Sequence, residues 1–373
     1  MATSIAMVMG RRLCSNIKLI RFKFEQKSDR INRIIRFREK NSTHSLTLTV
    51  AGTTYGISLG LLGLNFGKKQ ETDALTQKYR DARLAHMKRD LKLADDLYHE
   101  CLKLASELAE AKEITEDKFV TARTLMYDGL ADIAMQTGDI ETAEVLYKDT
   151  MKGCLQQGMD VTHNTIVEIS LKLASIYAII GKKEEAEEGF VFCIQTQTPK
   201  LADKVEKLTE KAPEGAKTPT MELTETEKDT ASLLGMALSS YGRFLLYEKR
   251  YTEALPMFEK SLMYAENVLG TNSNQYLVVL NDIATLYIVT KNLTEAEKLL
   301  KKGIEISKSS NLGEGATLFC NLGAIYLRKG EVMSATSTCK KGLDYAKKFD
   351  HKMAINMAEA CLQKAATLNP PKK

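Results

Sequence analysis

Tryptophan is absent from all 373 residues, and prolines number only six and histidines five. No long Val/Ile alternation occurs either. Those absences argue against a β-sandwich or barrel, and the abundance of Ala, Leu, Lys and Glu points to an all-α fold. The histidines (His44, His86, His99, His163, His351) are scattered, with no carboxylate or cysteine at ligand spacing. The seven cysteines make no C-x-x-C pair, and there is no phosphate loop or nucleophile elbow. Hence no catalytic residue, cofactor-binding residue or metal ligand is assigned, and the chain does not read as an enzyme. Cys101, Cys193 and Cys339 fall on buried-looking helix positions, and Cys320 sits just before another. They are expected to be small packing residues with reduced thiols, outside any disulfide framework.

Acidic residues are missing before Glu25, where Arg11, Arg12, Lys18, Arg21 and Lys23 already stand. Residues 1–40 hold eleven Lys or Arg against Glu25, Asp29 and Glu39, a balance of +8. The formal charge of the whole chain is +5, so the remainder is close to −3. The basic balance therefore reports a leader and does not imply nucleic-acid binding. Ile31, Ile34 and Ile35 share one helical face opposite Arg30, Arg33, Arg36 and Lys40. An Arg-rich, acid-poor amphipathic leader over 1–40 is expected to be a mitochondrial presequence.

Charge of either sign is missing from 41–67. Leu46 to Phe66 is mostly apolar or glycine, and as a helix it spans about 30 Å, the thickness of a bilayer's hydrocarbon. Lys68 and Lys69 end it with charges suited to the interface. A single transmembrane helix over 46–66 is expected. Gly52, Gly56 and Gly60 would give it a flat face for another membrane helix.

From residue 72 to 368 one spacing recurs: a small residue, another small one twelve positions on, and usually a bulky residue four beyond that. The small pairs are Ala131–Ala143, Ala174–Ala186, Gly242–Ala254, Ala284–Ala296 and Gly323–Ala335; the residues that follow are Tyr147, Phe190, Phe258, Leu300 and Cys339. Small residues let two helices cross closely, and bulky ones fill the space beside the crossing. Each unit is a helix–turn–helix, and its repetition means a solenoid. Helix pairs are expected near 116–156, 162–196, 225–267, 273–308 and 312–347, after a degenerate pair at 72–88 and 90–111. A last helix at 350–368 is expected to cover the open end. Gly138, Gly181 and Gly330 mark turns, and Lys249 and Lys291 take the same place in two others. Thr294-x-x-Glu297 reads as a capping box, and His163-Asn164 as a cap. An insertion near 197–224 carries Pro199, Pro213 and Pro219 among Lys, Glu and Thr, and is expected to be a solvated loop with at most a short helix at 200–211.

Leu173-Ala174-x-x-Tyr177-x-x-x-Gly181-x-x-x-x-Ala186-x-x-x-Phe190 and Leu322-Gly323-x-x-Tyr326-x-x-x-Gly330-x-x-x-x-Ala335 resemble the tetratricopeptide repeat family. Apart from the 68-residue interval that holds the insertion, the turns lie 39 to 43 residues apart, against the family's usual ~34. That length, with Leu280-Asn281-Asp282-Ile283-Ala284-Thr285-Leu286-Tyr287, resembles the kinesin-light-chain variant. The resemblance implies a concave groove lined by the first helices, with Asp128, Asp132, Glu168, Lys172, Ser239, Ser240, Arg243, Asn281, Asp282, Thr285, Asn321 and Arg328 exposed in it. Asn281 and Asn321 are the sharpest candidates for a peptide backbone, since an amide both donates and accepts. Where co-chaperones of the family grip a terminal carboxylate, this chain has Asp128, Leu171 and Ser239.

Leader, span and solenoid together resemble a mitochondrial branch of the family. This implies a non-enzymatic inner-membrane scaffold, facing the intermembrane space more readily than the matrix, bound to respiratory complex III. It would support assembly of that complex and clear fragments of the Rieske iron–sulfur protein. The partners implied are complex III with the Rieske protein and, through 46–66, the lipid bilayer; no nucleic acid and no small-molecule substrate are implied. The alternatives are an import or chaperone receptor and a kinesin-light-chain-like cargo adaptor.

Overall fold

The computed structural model describes residues 74–205 and 223–368. The presequence at 1–40 and the span at 46–66 lie outside the described residues. Within them no helix is long and apolar enough to cross a membrane.

Six antiparallel helix pairs follow one another: α1 (Ala74–Met87) with α2 (Leu91–Glu110), α3 (Glu116–Thr137) with α4 (Ile140–Gln156), and α5 (Asn164–Ile180) with α6 (Lys183–Gln197). They continue as α7 (Glu225–Tyr247) with α8 (Tyr251–Tyr264), α9 (Asn274–Val289) with α10 (Leu293–Ser309), and α11 (Gly315–Arg328) with α12 (Val332–Lys348), before α13 (Lys352–Leu368) packs on α12 and α11. Each second helix also packs on the next first helix, so the core runs unbroken along the stack. The result is an all-α tetratricopeptide-type solenoid.

The crossings sit where the spacing places them. Ala131, Ala143, Ala186, Ala254, Ala284, Ala296 and Ala335 have no accessible surface, and Ala174 has almost none. A methyl added at Gly242 would lie 2.6 Å from the Phe258 ring. Tyr147, Phe190, Phe258 and Leu300 are all buried beside these contacts, each contributing about 2–3 kcal/mol by leaving water.

The turns explain the glycines and their substitutes. Gly138, Gly181 and Gly330 have φ of 85°, 79° and 77°, and Lys249 and Lys291 adopt the same left-handed region at 63° and 66°. An L side chain there carries a steric cost that glycine avoids. Helix starts are capped by Asp90, Thr115, Asp139, Ser273 and Asn292. His163 caps α5, its ring Nδ1 accepting from the Thr165 amide at 3.3 Å.

Three expectations are corrected. The capping box is not at Thr294–Glu297: α10 starts earlier, on Asn292, and Glu297 pairs with Lys301 and Lys329. The reciprocal box is instead Thr224–Glu227, at the start of α7. Second, the insertion is not solvated from its beginning. A 3₁₀ turn at Thr198–Leu201 continues α6, and Leu201 is fully buried with Ala231, Leu234, Leu238 and Tyr264. Val205 and Leu223, the described residues on either side of 206–222, rest against this same cluster. Third, Cys339 is not a free thiol but is bonded to Cys361 of α13. Cys101, Cys154, Cys193 and Cys320 are buried and free. Two cysteines 22 positions apart on successive helices carry no recognisable spacing motif, so the pairing is a product of the helix crossing.

A candidate interface along the first helices

Each first helix carries one or more polar side chains on a face that is otherwise apolar, and these side chains meet across every step of the stack. Between α1 and α3, His86 Nε2 lies 2.8 Å from Gln136 Nε2. Between α3 and α5, Lys172 Nζ stands 2.9 Å from Asp132, 3.2 Å from Glu168 on its own helix and 3.5 Å from Asp128. Between α5 and α7, Asn164 donates to Thr230 at 3.0 Å. Between α7 and α9, Ser239 donates to Asp282 at 3.0 Å, and Arg243 stands 3.6 Å from that carboxylate. Between α9 and α11, Asn321 Nδ2 donates to Asn281 Oδ1 at 2.7 Å.

The ladder corrects the expected exposure of the groove residues. Asp128, Glu168, Ser239 and Asp282 are buried, and Lys172 keeps only 23% of its side-chain surface. A buried polar group without a partner costs about 1–3 kcal/mol, so these side chains turn toward one another. Asn281 and Asn321 are half-buried and satisfy one bond mutually. Thr285 donates back to the Asn281 carbonyl at 2.8 Å, and Ser240 accepts from Arg243 at 3.2 Å. Arg328 is exposed at the end of α11. The structure thus brings Asn281 to Asn321, Arg243 to Asp282, and Lys172 to its carboxylates, and leaves Arg328 outward.

The α3–α5 step is the most charged. One ammonium faces three carboxylates, and Tyr147 donates to Asp132 at 2.5 Å while its ring lies 5.1 Å from Lys172 Nζ. Burial pushes the Asp128 carboxyl up to about 7, against the pull of Lys172, and also raises Glu168. Lys172 is held well above the usual lysine range: burial opposes its charge, but Asp128 and Asp132 together outweigh that. Burial likewise raises Asp282, with Arg243 opposing.

Sequence reasoning took Asn164 with His163 as a cap and missed its partners Gln197 and Lys200. Gln197 and Lys200 both donate to Asn164 Oδ1, at 3.0 and 3.2 Å, pinning the end of α6 to the start of α5. Their only local signal was the polar amide of Asn164 at the first position of α5. Among the described residues no group of His, Cys, Asp and Glu could hold a metal ion.

The tetratricopeptide repeat family model matches residues 233–309. Tetratricopeptide repeat protein 19, mitochondrial, of Homo sapiens is 31% identical over 281 residues, covering 75% of this chain and 69% of that protein. The Rattus norvegicus protein of the same name is 32% identical over 272 residues, covering 73% and 69%. The chain belongs to the tetratricopeptide repeat protein 19 family. A crystal structure of a Rap protein complexed with competence and sporulation factor has the same fold, with a TM-score of 0.53 at 13% identity, covering 83% of this chain and 79% of that one. The aspartyl phosphate phosphatase F of Bacillus subtilis is similar at 0.51 and 11%, covering 79% and 80%. At those identities the likeness concerns architecture alone.

Proposed function

We propose that this protein is a non-enzymatic scaffold of the mitochondrial inner membrane that engages respiratory complex III, supports its assembly and helps clear Rieske iron–sulfur protein fragments. Membership in a family whose relatives are named mitochondrial carries the location. The acid-poor leader at 1–40 supports import, and the uncharged stretch at 46–66 supports a single anchor. The partner follows from the family resemblance, and the solenoid supplies the kind of extended surface that such a role needs.

The mechanism is tethering. An anchor confines the solenoid to one membrane surface, so a modest contact is held by high effective concentration. Asn281, Asn321, Asp282, Thr285, Arg243, Arg328 and Lys172 shape the face offered to a client. Since most of them already bond within the ladder, the client meets a rigid surface, which limits the entropy lost on binding. A chaperone receptor that grips a terminal carboxylate fits less well. Here Lys172 is already surrounded by three carboxylates.

Complex III activity and Rieske-fragment levels in cells lacking the protein test this reading. Activity should fall and fragments accumulate, with full rescue by the complete chain and poor rescue by residues 68–373 carried on a soluble mitochondrial leader. Normal values for both in the protein's absence would reject it. Carbonate extraction should leave the protein in the membrane pellet, and protease added to mitoplasts should digest the solenoid if it faces the intermembrane space.

A further inference from the structure

The last helix crossing departs from the pattern of the others. Beside Ala131, Ala174, Gly242 and Ala284 stand the bulky residues Tyr147, Phe190, Phe258 and Leu300; beside Gly323 stands Cys339. Two small residues facing each other would leave unfilled volume in a solenoid core, which is costly. Here the space is occupied by sulfur. A methyl placed on Gly323 would collide with Cys339 Sγ and come within 3.2 Å of Cys361 Sγ. Cys339 is fully buried, Cys361 is 8% exposed, and their Cα atoms are 6.2 Å apart, within the range a disulfide spans.

The way α13 is seated makes this bond consequential. Its buried residues are Ala354, Ala358, Cys361 and Ala365, one line along the helix. Three methyl groups bury little apolar area, and beside them Ile355 packs half-buried against Ala316, Ala346 and Ala354. Cys361 is the largest group on that line. The four remaining described cysteines are likewise buried but free. Burial raises every one of their thiols, Cys101 to about 11 and Cys154 and Cys320 to about 12. Such thiols are weak nucleophiles and stay reduced.

We propose that the Cys339–Cys361 disulfide clamps α13 onto the end of the solenoid, and that the solenoid therefore matures on an oxidising side of its membrane, in contact with a disulfide-carrying oxidoreductase. In the exchange one cysteine thiolate attacks the donor disulfide, and the other then displaces the donor from the mixed disulfide. One S–S bond forms in the chain, one breaks in the donor, and two electrons and two protons pass to the donor as two thiols. The clamp does not depend on which partner the solenoid binds.

The test uses full-length protein in intact cells, quenched in acid, denatured, alkylated with N-ethylmaleimide and digested without reduction. Mass spectrometry should find one linked peptide joining Cys339 to Cys361, with Cys101, Cys154, Cys193 and Cys320 alkylated. Alkylated Cys339 and Cys361 would overturn the proposal, even if the protein still co-purified with complex III. A second measurement tests the clamp on purified full-length protein. Mild dithiothreitol, or Cys361→Ser, should speed hydrogen exchange in α13 on the order of 100-fold while leaving α3 to α6 unchanged. Unaltered protection of α13 on reduction of the wild-type bond would refute the clamp without relying on a variant that might fold poorly.

Discussion

Replacing Lys172 with Met removes the one cation that, among the described residues, is paired with Asp128, Asp132 and Glu168 together, while keeping most of the side chain's bulk. The lysine lies 2.9 to 3.5 Å from all three carboxylates and is largely buried. Removing one partner of a buried ion pair costs about 3–5 kcal/mol, because the other charge stays in low dielectric without compensation. Lys172 keeps some solvent contact, so the lower end, about 3 kcal/mol, applies. The loss should depend on pH, and its sign can be worked out. Asp128 in the folded chain titrates near 7 and in the unfolded chain near 3.8. Between those values the folded state binds the extra proton, so its stability falls as pH rises and the contribution is lost once pH passes about 7. For this one group the fall from pH 5 to pH 8 is on the order of 2–3 kcal/mol in the wild type. Without Lys172 the carboxylates are harder still to ionise together, so Lys172→Met should melt far below wild type at pH 8 and approach it at pH 5. Asp128→Asn should flatten the wild-type pH profile. Urea unfolding at both pH values, followed by circular dichroism, reads each outcome. A loss below about 1 kcal/mol, or one equal at pH 5 and pH 8, would refute this account of the cluster.

The Asn281–Asn321 bond should show up as non-additivity. Each single change to Ala should cost about 1 kcal/mol, and the double change clearly less than their sum, since no partner is then stranded; additive losses would mean that the 2.7 Å contact carries no energy. The same double variant should weaken complex III co-purification, and unchanged recovery would remove both asparagines from the client surface. Ala284→Leu should destabilise by about 1–3 kcal/mol through overpacking of a crossing with no accessible surface, measurable as a lowered thermal midpoint. Lys249→Gly and Lys291→Gly, at φ of 63° and 66°, should each stabilise by about 0.5–1 kcal/mol, and a lowered midpoint would show that the lysine side chains make contacts worth more than the backbone cost.

The fold was legible because it is repetitive. Ala174, Ala186 and Phe190 are spaced by the geometry of two crossing helices, and the same geometry recurs at Ala284, Ala296 and Leu300, so one unit teaches the next. Even the atypical turns at Lys249 and Lys291 kept their place in the register. The groove was less legible, because a polar residue on a first helix carries no mark of whether it faces solvent or a neighbouring repeat. Asp282 and Lys172 read as exposed from position alone, whereas their burial depends on residues 43 and 40 to 44 positions away, at Ser239, Asp132 and Asp128. The disulfide was illegible for a related reason. Cys361 belongs to a helix outside the repeat pattern, and nothing local predicts what α13 lays against Cys339. Leu201 shows the converse: an apolar residue in a Pro-, Lys- and Glu-rich stretch roots the start of that stretch in the core.

Val205 and Leu223 rest on one shared cluster, so the two described stretches that flank 206–222 meet at a single place. Any chain that joins those two anchors begins and ends on that cluster. Doubling the length of such an excursion costs only about 0.6 kcal/mol in closure entropy. Seen this way, the junction between the third and fourth helix pairs is a socket. Related chains can vary there in length and charge without disturbing their neighbours, and a fluorescent domain or an affinity tag spliced between 206 and 222 should leave both halves of the solenoid standing.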